Sequence, residues 1–159
     1  MFFVILFSIL GFLIALYLFF FFLLNSRLKS TESDIVTLFH EKVSKIPALI
    51  EVMRPFVYEE RAFDLITSLH SEAMIHDYGG IYNLLEHNAR IHDQFLFLLK
   101  LSVHIPRLQK DAYFLYIRDF IISYDRNMQS HFSQFNKTVR SWNRFILIKN
   151  STIIGFLLP

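Results

Sequence analysis

The sequence predicts an all-α protein, an N-terminal transmembrane helix followed by an antiparallel helical bundle of three to four long helices. Three observations carry this prediction. Residues 2–24 are free of charge. Beyond them, apolar residues return every three or four positions over long stretches, as on one face of a helix. No series of alternating short runs and tight turns reads as strands.

The first element is Phe2 to Leu24, interrupted only weakly by Ser8 and Gly11. At about 1.5 Å per residue it reaches roughly 34 Å, which crosses a bilayer core of about 30 Å with some tilt. A cleaved signal peptide needs a basic start, a shorter apolar core and a small-residue cleavage site. Met1 instead runs straight into Phe2, and the stretch exits through Phe-Leu-Leu-Asn-Ser, so the expectation is an uncleaved anchor at 1–24. Basic residues resist translocation. Arg27 and Lys29 therefore predict an outside N-terminus and a cytoplasmic C-terminal domain.

Overall charge excludes little else. The 16 basic and 14 acidic residues leave a net +2, too small a surplus to imply nucleic acid. The absence of cysteine removes disulfides and thiolate metal sites from consideration.

Residues 25–34 are polar, with Thr31 and Asp34 spaced like a helix-capping pair, and predict a juxtamembrane linker. The bundle is expected over 35–159. Its first helix is marked by Ile35, Phe39, Val43, Ile46, Ile50, Met53 and Val57, at a mean step of about 3.7 residues. Pro47 and Pro55 each remove a backbone donor, so this helix should kink or split at one of them. The pattern resumes through Leu65, Ile66 and Leu69, and Gly79-Gly80 supplies a turn. A further helix is predicted from Ile81 to Ser102, with Leu84, Leu85, Ile91, Phe95 and Leu99 on one side. Pro106 ends the loop after it. No Gly or Pro interrupts 107–154, where Ile121, Tyr124, Met128, Phe132, Phe135, Val139, Trp142 and Ile146 share a face. Ile121, Met128, Phe135 and Trp142 are heptad steps, as in coiled-coil-like packing at shallow angles.

The segment Ile46-Pro47-Ala48-Leu49-Ile50 with Tyr58-Glu59-Glu60 after it, and the pairs Phe135-Asn136 and Trp142-Asn143 around Val139, together resemble the bacterial LemA family. Ile105-Pro106-Arg107-Leu108 and Asp125 add to the likeness, which extends over essentially the whole chain. Ala48, Phe132 and Lys149-Asn150 depart from the family pattern. The resemblance implies a bacterial inner-membrane protein with a short outside N-terminus, one transmembrane helix and a cytoplasmic helical bundle. It implies no reaction.

The residues themselves offer little chemistry. A di-iron bundle needs Glu-x-x-His pairs, and none of the seven histidines has Glu three positions earlier. Glu72 with His76, and His87 with His92, remain as fragments, and the histidines read as surface or loop residues. There is no nucleophile elbow and no phosphate-cradling glycine loop. The expectation is therefore no catalytic, metal or cofactor site. Lys137, Arg140 and Arg144 share one face of the last helix, with no acidic residue after Asp125, and form a candidate face for a partner or anionic lipid. The bland alternative is a solvated outer face. Asn136 and Asn143, a heptad apart, are a candidate polar pair that fixes helix register. The apolar tail 153–159 should be buried on the bundle or in the bilayer. Together these features predict a non-enzymatic, membrane-tethered interaction or scaffold module with an unknown protein partner. The competing class is a metal-dependent or hydrolytic enzyme housed in the bundle.

Overall fold

The computed structural model describes residues 1–75 and 78–150, apart from the side chains at 2, 6 and 148–150. All regular elements among the described residues are helical. They are α1 (Phe2–Val43), α2 (Ile46–Met53), α3 (Arg61–Ile75), α4 (Ile81–Val103), a short 3₁₀ turn (Leu108–Lys110) and α5 (Ala112–Asn150).

The expected linker at 25–34 is not a break. α1 continues through it to Val43, because Arg, Leu, Lys and Glu are good helix formers and neither Gly nor Pro occurs between 12 and 46. Thr31 acts within the helix, its hydroxyl donating to the Arg27 carbonyl at 2.9 Å.

Pro47 ends α1 and starts α2. It has no N–H to give to the Val43 carbonyl four residues back, but it is well suited to the first turn of a helix, where it sits in α2. Pro55 similarly offers no donor to the Glu51 carbonyl. The chain turns there instead, with the Phe56 and Val57 N–H groups both donating to the Met53 carbonyl. The expected single kink is thus two breaks. Gly79, at φ +59°, adopts the left-handed conformation that glycine accepts without steric cost. Asp111 caps α5, accepting the Phe114 N–H at 2.8 Å, which sets the start of α5 shortly after Pro106.

The chain divides into two compact units, Asp34–Ser130 and Met1–Ser33 with His131–Pro159. The second half of α5 thus groups with the apolar N-terminal helix rather than with the remainder of the predicted bundle. In the unit Asp34–Ser130, α3 packs on α2 and on α4. Its core draws on every helix, with Phe39, Met53, Ile66, Leu84, Phe95 and Phe114 among the fully buried side chains. Burial of this kind is worth about 1.5–3 kcal/mol for each large apolar side chain. Some periodicity assignments fail: Leu65 and Ile146 are exposed, while Leu98 rather than Leu99 is buried.

In the unit formed by Met1–Ser33 and His131–Pro159, the partly buried positions of α1 are Ile14, Tyr17, Phe21, Leu24, Leu28 and Thr31, among others. Their alternating steps of three and four form a heptad seam. The facing seam on α5 runs through Phe132, Phe135, Val139, Trp142 and Phe145. Ring contacts pin the two together: Tyr17 stacks on Phe145 at 4.9 Å and Phe21 meets Trp142 at 5.3 Å. Later residues of α5 meet earlier residues of α1, so the helices run antiparallel here.

Candidate functional site

Among the described residues, one helix is long and apolar enough to cross a membrane. It is the N-terminal part of α1, where Phe3, Val4, Phe7, Phe12, Phe19 and Phe22 are all more than half exposed. An apolar surface of this extent is unfavourable in water and favourable in lipid.

The principal polar cluster lies in the unit Asp34–Ser130. Lys42, on α1, has a side chain with no exposed surface. It occurs between Phe39 and Val43, on the buried face of α1, so the fold carries its charged end into the core. There its ammonium donates to the Asn88 amide oxygen at 2.9 Å and to Asp125 Oδ1 at 2.5 Å. Asn88 and His92 are four residues apart and share a face of α4. His92 completes the cluster, its Nδ1–H donating to Asp125 Oδ2 at 3.0 Å. Asp125 is 13% exposed and His92 40%, so the cluster grades from a dry ammonium to a wet imidazole. Burial lowers the Lys42 pKa, and Asp125 opposes that shift through its charge and its hydrogen bond.

His87 is also interior, 5% exposed at its side chain. Its Nε2–H donates to the Leu69 carbonyl at 2.8 Å, and Nδ1 lies 3.8 Å from Glu72. The reading of the histidines as surface or loop residues is corrected at His87, which is buried and bridges α4 to α3, while His92, 40% exposed, joins the α1–α5 ion pair from the surface. Tyr78 packs edge-on to Phe39 at 5.5 Å. Burial, with the Glu72 charge second, pushes its phenol up to about 12. No group of three or more His, Asp or Glu with metal-binding geometry occurs among the described residues.

A groove of about 420 Å³ opens between α2 and α3, lined by Pro47, Ile50, Glu51, Arg54, Thr67 and His70. Desolvation lowers the His70 pKa, which favours the neutral imidazole there.

The residues singled out from the sequence lie elsewhere. Lys137, Arg140 and Arg144 are exposed on α5, on the side opposite Trp142 and Phe145. Arg27 and Lys29 are exposed on α1, just past its apolar stretch. Asn136 and Asn143 are exposed as well. The interhelical polar cluster of the unit Asp34–Ser130 is instead that of Lys42 with Asp125 and Asn88. His76 and the tail 153–159 lie outside the described residues. Lys42 is legible in principle, being three residues after Phe39 and four before Ile46 on an apolar face. Asp125 likewise falls four residues after Ile121 and three before Met128.

No protein-family model matches the chain, and no curated protein matches it.

Proposed function

We propose that this chain is a single-pass membrane protein of LemA-like character whose helical bundle is a non-enzymatic interaction or scaffold module on the cytoplasmic face. The observation that carries the reading is the lipid-compatible surface of the N-terminal part of α1. Arg27 and Lys29, next to the apolar stretch, support an outside N-terminus. The Ile-Pro start of α2 and the Phe-Asn and Trp-Asn pairs on α5 support the family likeness. The arrangement of polar groups supports a structural role. Lys42, Asp125, Asn88 and His92 satisfy one another across three helices, and a charge cluster with its partners in place fixes helix register.

Two measurements test this reading. A reporter active only after export, fused behind Pro159, should stay inactive, and its activity would reverse the orientation. Full-length protein purified in mild detergent should bring a partner protein in stoichiometric amount. Reproducibly partner-free protein would contradict the scaffold role.

A further inference from the structure

The register of α5 against α1 sets the depth at which α5 sits beside the apolar stretch. Asn25 is the first polar residue after that stretch. Phe21 precedes it by four residues, about 6 Å along the axis, and Tyr17 by eight, about 12 Å. Trp142 meets Phe21 and Phe145 meets Tyr17. If residues 2–24 span the bilayer, the α5 positions Trp142 to Phe145 lie about 6–12 Å beneath the polar boundary.

The side chains on these turns match that depth. Trp142, about 6 Å below the boundary, is of the residue type enriched near the headgroup level. Lys137 falls level with the boundary by the same register, Arg140 lies roughly 3 Å below it, and Arg144 about one turn deeper. All three are exposed and turned away from α1. Long basic side chains on such a helix leave their stems in the apolar layer and extend their charged ends outward. Arg27 and Lys29 add two cations on α1 at the same border. No acidic residue occurs anywhere after Asp125 to neutralise the stripe.

We infer that α5 is embedded in the membrane at Trp142 to Phe145, and that Lys137, Arg140 and Arg144 bind the phosphates of anionic phospholipids. This inference rests on the reading of residues 2–24 as a spanning helix. It converts a single tether into a two-helix seat whose outer face selects lipid by charge.

Trp142 is the only tryptophan in the chain and there is no cysteine, so the full-length protein carries its own probe and a clean background for a second. The protein is reconstituted in vesicles containing either brominated phosphatidylglycerol or brominated phosphatidylcholine at equal mole fraction. Trp142 emission should be quenched by brominated lipid and resist aqueous iodide, with a preference for the anionic lipid of about fivefold or more. The triple variant Lys137→Gln/Arg140→Gln/Arg144→Gln should lose the preference, while the charge-retaining Lys137→Arg/Arg140→Lys/Arg144→Lys keeps it. In parallel, Phe12→Cys reports on the anchor through the accessibility of the introduced thiol to a water-soluble maleimide. A protected thiol with Trp142 open to iodide overturns the inference and leaves the spanning helix intact. A reactive thiol overturns both. Equal quenching by the two lipids in the unaltered protein overturns the phosphate-binding stripe.

Discussion

Replacing Asp125 with leucine should be among the most damaging single changes in the protein. The carboxylate is the only anionic partner described for Lys42, whose side chain is fully buried. Taking away one member of a buried pair leaves an uncompensated charge, at a cost of about 3–5 kcal/mol. For a unit of about a hundred residues, where 1 kcal/mol moves the midpoint by about 4 °C, this corresponds to a drop of roughly 12–20 °C. Lys42→Met should cost less, because the stranded Asp125 retains the His92 donor and reaches solvent. The double variant Lys42→Met/Asp125→Leu removes both charges and should be more stable than Asp125→Leu alone, since replacing a whole buried pair by apolar groups is often nearly neutral. Thermal unfolding of the full-length protein in detergent, followed by circular dichroism, measures all four corners of this cycle. A loss below about 1 kcal/mol for Asp125→Leu, or strictly additive effects, would refute the coupling between α1 and α5 drawn from the geometry.

Four other outcomes follow from particular side chains. The folded chain holds the Tyr78 proton up to about pH 12, whereas the unfolded chain releases it near 10. Stability present below pH 10 should therefore decline as the pH rises toward 12, and Tyr78→Phe should flatten that decline in alkaline melts. The His70 shift has the opposite sense. Its lowered pKa means the unfolded chain takes up the proton first, so acidification below the ordinary histidine range should cost stability that His70→Gln retains. Phe39→Ala, at a position with no exposed surface, should destabilise the protein by about 3–5 kcal/mol through lost burial and the cavity left behind, as read from urea midpoints. Gly79→Ala places a Cβ at φ +59° and should lower the same midpoints by about 1–2 kcal/mol through strain alone, because a Cβ there meets no neighbouring atom.

The helical class and most of the interior are legible in the sequence because apolar spacing and burial arise from the same geometry. Ile35, Phe39, Val43, Ile46, Ile50 and Met53 share one period and are all buried. The prolines are less transparent. Sequence spacing makes Pro47 and Pro55 alternative sites for one kink, but each lacks its own donor and both interrupt the chain. The polarity of residues 25–34 suggests irregular structure, whereas their helix propensity is sound and propensity decides the outcome.

The positions of Lys42 and Asp125 on apolar faces are visible in the sequence, but their pairing is hidden for a physical reason. A lysine among apolar residues ordinarily occupies a neighbouring exposed position, and only a partner from a distant segment makes its burial tolerable. Asp125 lies 83 positions away, and no local pattern links the two. The aromatic seam of α5 is visible as heptads, but its partner is not. Tyr17 and Phe21 look like ordinary members of an apolar anchor until Phe145 and Trp142 are placed against them.

Everything proposed for the bundle depends on whether the full-length chain behaves as an integral membrane protein. Membranes from expressing cells, washed with alkaline carbonate, should retain the protein in the pellet through residues 2–24, and deletion of those residues should release it. Recovery of the intact chain in the carbonate supernatant would contradict the spanning helix, and with it the tethered role of the bundle.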